Sequence, residues 1–224
     1  MPDYTVTIPT IGYAGQLPGL VDAIEAVHPR AELFLPCNGD LDDLNRVCGL
    51  LNRTGDPEPV WRRGENLYAL WNEGLSFASR LHPSPIAVLL NDDIRIHPET
   101  LNTIVDWMRE TGAGIASWNP YQEPEAPGDL WPREVTGTFR QGGIAGFAFA
   151  VRCDIGVRAD PGFHWWGGDD DLVWSVRKAG FKAYVLDGLG VEHGHAVSAS
   201  ARPAVYEHSE QDRQRLLERW GETW

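Results

Sequence analysis

The chain of 224 residues is predicted to fold as an α/β protein, with a parallel sheet flanked by helices. Three observations predict this. Strand-like and helix-like segments alternate from the first residues onward, and a βαβαβ order implies parallel strands joined by right-handed crossovers. The run Ile86-Ala87-Val88-Leu89-Leu90 is apolar throughout, the pattern of a strand covered on both faces. Turn-forming and acidic residues recur where the predicted strands end, at Pro9-Thr10, Asn38-Gly39-Asp40 and Asn91-Asp92-Asp93. Sheets of this kind bind ligands at the carboxyl ends of their strands.

The elements follow in order. Tyr4 to Ile8 is a strand that turns at Pro9-Thr10. Leu17, Leu20, Val21, Ile24 and Val27 share one face of a helix over 17–27. Ala31 to Pro36 is a second strand, closed by the Cys37–Asp40 turn. Leu41 to Leu51 is a helix, Val60-Trp61 a short strand, and Asn66 to Leu81 a further helix. After the central strand, Pro98 occupies the first turn of a helix reaching Met108. Gly114 to Trp118 is a strand, and Asn119 to Arg140 reads as a long loop over the sheet. Gly146 to Val151 returns as a strand, Asp169–Asp171 opens a helix through Ala179, and Phe181 to Leu186 is the last strand. Val191-Glu192-His193-Gly194-His195 follows it, and Tyr206 to Trp220 is a closing helix of mixed charge that packs on the rest. Residues 1–205 are read as one domain, with halves of about 1–111 and 112–205, and 206–224 as the helix docked on it.

Composition limits the function. Nineteen basic against 32 acidic residues give a net charge of −13, which disfavours nonspecific binding to nucleic acid or anionic membrane. Cys37, Cys48 and Cys153 are odd in number and lack a CxxC pair, the pattern of reduced thiols, with no zinc site. No basic-then-apolar leader and no run of 18 apolar residues occurs, so the expected location is cytoplasmic.

Chemistry concentrates in Trp165-Trp166-Gly167-Gly168-Asp169-Asp170-Asp171-Leu172. Three consecutive carboxylates repel one another, and a fold tolerates them where a cation, a substrate hydroxyl or a helix N-terminus compensates. Asp92-Asp93 forms a second acidic set at the end of the central strand. Together they point to a metal-dependent transferase, because divalent ions such as Mn²⁺ and Mg²⁺ prefer carboxylate oxygens. The competing reading is that Asn91–Asp93 is a turn and that the later acids cap a helix, although a cap needs only one of them. Gly142-Gly143 permits close backbone approach to a ligand. Trp165 and Trp166, and also Trp131, offer apolar platforms for a sugar or aromatic acceptor.

These residues resemble the GT-A fold (Rossmann-like) glycosyltransferases, in particular the family 2-like enzymes, a resemblance that implies a mixed, mostly parallel sheet flanked by helices. Ile8-Pro9-Thr10 resembles their first strand and turn, Asn66 through Gly74 the helix ahead of their metal motif, and Asn91-Asp92-Asp93 their "DxD" site in an "NDD" form. Asp169-x-Asp171-Leu172 with Arg177-Lys178-Ala179-Gly180-Phe181 resembles the "ED-x-DL…R-x-x-G-Y" block, and the Trp-Gly-Gly-acid run resembles the galactosyltransferase "WGGED" signature. The likeness covers roughly residues 4 to 200. Aligned on Asp171-Leu172, the family's Glu falls on Gly168; aligned on Trp-Gly-Gly, Asp169 replaces that Glu and Asp170 becomes the base. Ser175 stands where many members carry Arg, and Tyr68 where many carry Gly.

The resemblance implies a metal-dependent transfer of a sugar from a nucleotide-sugar donor, UDP-linked in the first instance, to an acceptor hydroxyl, inverting by single displacement. It implies that Asp93 and His193 bind Mn²⁺ or Mg²⁺, that Asp92 lies near the ribose or metal waters, and that Pro9, Thr10, Asn38, Asn72 and Gly143 line the donor. It places the general base at Asp169, or alternatively Asp170, with Trp165, Trp166 and Asp171 toward the acceptor. His195 is a further candidate for phosphate or metal. Arg133 and Arg140 could meet the diphosphate, but read better as solvated surface. The acceptor class is open: a small molecule, glycan, peptide or modified nucleobase. Two rivals remain, a nucleotidyltransferase and a non-catalytic nucleotide-sugar-binding relative. The first normally carries a basic Gly-rich loop after strand one, which Gly12-Tyr13-Ala14-Gly15-Gln16 lacks; the second would tolerate loss of Asp169 and Asp170, and the intact acidic sets argue against it.

Overall fold

The apolar run at 86–90 forms the strand at the heart of the sheet, buried along its whole length in the computed structural model, which describes residues 2–12, 14–51, 59–80, 85–136, 143–194 and 208–221. In chain order the elements are β1 (Tyr4–Thr7), α1 (Leu17–Glu25), β2 (Ala31–Phe34), β3 (Pro36–Cys37), α2 (Leu41–Leu51), β4 (Val60–Trp61), α3 (Leu67–Ala78), β5 (Ile86–Leu90), β6 (Ile94–Arg95) and α4 (Pro98–Thr111). They continue with β7 (Ile115–Asn119), β8 (Trp131–Glu134), β9 (Ala148–Arg152), α5 (Gly168–Lys178), β10 (Ala183–Gly190), β11 (Glu192–His193) and α6 (Ser209–Trp220).

Seven strands form the main sheet in the order β2-β1-β5-β9-β7-β10-β8. Strands β2, β1, β5, β7 and β10 run one way; β9, between β5 and β7, and the edge strand β8 run the other. The expected mixed, mostly parallel sheet is therefore present. Alternate residues of β5 enter two separate cores: Ile86, Val88 and Leu90 join the one containing α1 and α4, while Ala87 and Leu89 join the one containing α3 and α5. Removing such side chains from water on both faces contributes about 1.5–3 kcal/mol each, which is why the run shows no alternation. Among the described residues, no helix is long and apolar enough to cross a membrane.

Helix ends follow local rules. Asn66 caps α3 by accepting from the Tyr68 N–H at 2.8 Å, and Gly112 ends α4 with φ of 73°, a left-handed turn that glycine adopts without steric cost. Three differences from the sequence expectation matter. The predicted strand 31–36 divides into β2 and β3, the latter pairing with β4. Part of the long loop becomes β8, antiparallel to β10 from Tyr184↔Glu134 to Asp187↔Trp131; Pro132 within it hides a strand that survives at a sheet edge. β6 and β11 form a two-stranded pair of their own, too short to carry a periodic signal.

Candidate active site at the strand ends

Thr10 follows β1, Asn38 follows β3, and Asp92-Asp93 follows β5, so topology brings them to one end of the sheet. Backbone bonds join the first two, Thr10 N to Pro36 O at 3.0 Å and Asn38 N to Thr10 O at 3.3 Å. Asn38 also donates its side-chain amide to Glu65 O at 3.1 Å. Pro9 is buried behind Thr10.

Asp92 is 4% exposed and accepts a hydrogen bond of 2.5 Å from the Thr10 hydroxyl, which itself accepts from the Gly12 N–H at 3.0 Å. Burial pushes its carboxyl up to about 6, against the Thr10 bond and with the neighbouring Asp93 charge adding to the rise. Asp93 is 3% exposed, and its Oδ1 lies 3.1 Å from His193 Nε2. The β6–β11 pair makes that meeting possible: His193 is in register with Ile94, and Gly194 N donates to Asp93 O at 2.6 Å. A Cβ at Gly194 would lie 2.9 Å from Asp93 O and 3.1 Å from Gln16 Nε2, so this close approach requires glycine.

The second acidic set reaches the same place through the lead into β9. Asn91 N donates to Phe147 O at 2.8 Å, and the Phe147 ring stacks on His193 with centroids 4.1 Å apart. Next to it, a Cβ on Gly146 would come within 2.6 Å of Asp169 Oδ2. Asp93, His193, Phe147, Gly146 and Asp169 thus form a contiguous path. Gly143 begins the described run that leads into it.

The three acids of α5 are unlike one another. Asp169 is half-buried; burial raises its carboxyl above the ordinary range, opposed by the N–H groups of Asp170, its own residue and Gly146. Asp170 is 3% exposed. Asp171 is wholly buried and faces α6, accepting from Trp220 Nε1 at 2.8 Å and Asp160 N at 3.1 Å and pairing with Arg219 Nε at 2.6 Å. Its carboxyl is raised by burial, with Trp220 and Arg219 opposing.

Other expected residues are placed as follows. Asn72 donates to Ala159 O at 2.8 Å and accepts from Ala159 N at 2.9 Å, bracketing a neighbouring segment with both amide atoms. Trp165 and Trp166 are half-buried beside α5. Trp131, 69% exposed, and Arg133 lie on edge strand β8, far across the sheet from β5. Arg140, Gly142 and His195 fall outside the described residues.

Two departures noted in the sequence occupy one location. The Tyr68 ring lies where a side chain at 168 would go, with Cε1 1.9 Å from a Cβ built on Gly168, and Gly168 N donates to Tyr68 Oη at 3.3 Å. Sequence reasoning missed Gly146, Phe147 and Asp212 as parts of this region. Only Asp212 left a signal: it shares the buried face of α6 with Leu216, an acid on an apolar stripe.

For a divalent cation, the described residues contain no group of three or more ligating side chains gathered together. Asp93 and His193 supply two donors. That set fits Mn²⁺ or Mg²⁺ sites that take one or two protein ligands and complete their shell with substrate phosphates and water.

Neither a protein-family model nor a curated protein matches the sequence. Solved structures do resemble the fold. One is GalNAc-T7 with UDP, GalNAc and Mn²⁺, at TM-score 0.58 and 16% identity, covering 96% of this chain and 54% of that one, so the chain spans about half its length. Another is a CMP:2-keto-3-deoxy-manno-octonic acid synthetase complexed with CTP, at TM-score 0.52 and 11% identity, covering 93% of this chain and 99% of that one. At such identities the likeness is one of fold: the mixed sheet is that of GT-A and nucleotidyltransferase-like proteins.

Proposed function

We propose that the chain is a metal-dependent glycosyltransferase of nucleotide-sugar donors, UDP-linked in the first instance. The observation that carries this reading is the convergence at one sheet end of Asp93 with His193 and, through Phe147 and Gly146, the half-buried Asp169. A donor diphosphate would lie over Pro9, Thr10, Asn38, Asp92 and Gly143, with Asp93 and His193 holding Mn²⁺ or Mg²⁺. The cation, when bound, neutralises charge on the departing nucleoside diphosphate. Trp165 and Trp166 would form the acceptor side. Residues 112–205 would supply that half of one catalytic domain.

In this reading the acceptor O–H gives its proton to Asp169. The acceptor oxygen forms a bond to the anomeric carbon as the bond from that carbon to the diphosphate oxygen breaks, inverting the centre. Asp169 is assigned as the base because it alone of the three acids is not fully buried, while its raised carboxyl makes it a better proton acceptor. Asp170 is the alternative. Asp171 and Asn72 serve the scaffold.

Nucleotidyl transfer is the second reading, favoured by the match over nearly the whole length of the CTP-bound synthetase; the uncharged stretch Pro9–Gln16 speaks against it. The experiment is a thermal-shift panel of UDP-, GDP-, CMP- and dTDP-sugars and CTP, with and without Mn²⁺, followed by release of UDP from the stabilising donor. A stabilisation of about 2.7 kcal/mol is expected at 100 Kd, lost on removing metal and in Asp93→Ala. Stabilisation by CTP alone, with pyrophosphate release, would replace this reading by the second.

A further inference from the structure

We propose that Asp212 is a positioning residue: through it α6 holds the His164–Gly168 turn, and hence Asp169 and the two tryptophans, in working geometry. The functional half of this inference rests on the glycosyltransferase reading; the structural half does not.

The Asp212 carboxylate is essentially inaccessible to solvent. Its Oδ1 accepts from His164 N at 2.7 Å and lies 3.1 Å from His164 Nδ1, and its Oδ2 accepts from Trp165 N and Trp166 N, both at 2.9 Å. A carboxylate offers about four acceptor positions, and all four are used. The His164 Nδ1 contact is a hydrogen bond when that nitrogen carries the proton. Two residues on, Gly168 N is taken by Tyr68 Oη. Three successive N–H groups and a fourth nearby are therefore bonded to side chains from α6 and α3. The first turn of α5, where Asp169 sits, continues directly from them.

Simple helix docking does not need this arrangement, because α6 has other anchors. Arg215 makes three hydrogen bonds of 2.8–3.0 Å to the Asp160 carboxylate. Arg219 reaches both Asp160 and Asp171, and Trp220 bonds Asp171. Among these α6 anchors, Asp212 is the one that holds the backbone of the turn. Asn is isosteric but presents an NH₂ either to the Trp165 and Trp166 N–H groups or to the His164 N–H, so at least one of the four bonds becomes a donor–donor contact.

The test compares wild type, Asp212→Asn and the docking control Arg215→Met. Hydrogen exchange at residues 164–168 should accelerate about 10–100-fold in Asp212→Asn, as expected for lost hydrogen bonds to a charged group, and no more than about twofold in the control. The Kd of UDP with Mn²⁺ should stay within about twofold, since the donor side lies at other strand ends. UDP release from the donor that wild type cleaves should fall at least about tenfold in kcat with donor KM unchanged. Unchanged exchange in Asp212→Asn overturns the proposal, as does equal acceleration in Arg215→Met. Altered exchange with full kcat overturns its functional half. If wild type binds no nucleotide, the glycosyltransferase reading fails while the exchange result still decides the role of Asp212.

Discussion

Gly168→Ala tests how the acidic turn is built. The added Cβ would stand 1.9 Å from Tyr68 Cε1 and 2.4 Å from its Cδ1 and Cζ, inside any distance real carbons adopt. The ring has little freedom to yield. It is 1% exposed and wedged edge-on between Trp71 and Phe163, with centroids 4.9 and 6.0 Å away. Overpacking of this kind costs about 1–3 kcal/mol, or about 2–12 °C in Tm for a domain of this size. Tyr68→Ala alone should cost about 3–5 kcal/mol as a large buried aromatic is lost. It also removes the obstacle, so Gly168→Ala in that background should cost less by at least about 1 kcal/mol than in wild type. Urea denaturation followed by tryptophan fluorescence reads all four corners of this cycle. Additivity within about 0.5 kcal/mol would refute the shared-space argument. It would mean that Gly168 and Tyr68 do not compete for one space.

Further outcomes follow from the same geometry. Asn72→Ala should destabilise by about 1–3 kcal/mol through its two bonds to Ala159, yet leave the Kd for UDP unaltered in titration calorimetry; a tenfold loss of affinity at unchanged stability would return Asn72 to the ribose. Asp169 carries a raised carboxyl, so the folded chain holds this proton more tightly than the unfolded chain. Its contribution to stability is complete below the unfolded pKa and is lost as pH rises through the folded value. Asp169→Asn should therefore be more stable than wild type near neutrality and equal to it in acid, measured by denaturant melts across pH. The same substitution should lower turnover by about 10²–10⁴, whereas a larger loss in Asp170→Asn would move the base there. Trp220→Phe deprives the buried Asp171 of one donor and should cost about 1–3 kcal/mol without changing donor affinity.

What could be read from the sequence is what local chemistry determines. A run of five apolar residues cannot be a surface strand, and an Asn-Asp-Asp directly behind it must emerge at the strand's carboxyl end; β5 and its acids stand where that reasoning puts them. The cap at Asn66 and the helix from Pro98 are equally local. Harder to see is whatever depends on a partner distant in the chain. His193 meets Asp93 only because Glu192-His193 pairs with Ile94-Arg95, and two residues per strand carry no period. Asn72 looks like any polar helix residue until Ala159 arrives against it. Trp131 read as an apolar platform for a ligand, and it is exposed, but on a strand whose place at the sheet edge only the fold decides.

The Asp169–Asp171 cluster shows why three like charges can sit together without a shared purpose. Successive helical residues point about 100° apart, so one acid turns to the strand ends, one into the protein and one to α6. Asp169 and Asp171 are compensated differently. Asp169 has the Gly146 N–H and the N-terminal amides of α5, where a helix dipole favours negative charge. Asp171 has Trp220, Arg219 and the Asp160 N–H. The C-terminal helix is thus tied to the acidic turn from both sides, through Asp212 before the cluster and through Asp171 at its end. Cutting one tie leaves the other, so Asp212→Asn combined with Arg219→Met and Trp220→Phe, which together remove the α6 contacts to Asp171, should disturb Asp169 more than the two sets of changes added. Additive effects on hydrogen exchange at 164–171 would mean that the ties act on separate pieces of structure, and that α6 is a cover for this site and no part of its framework.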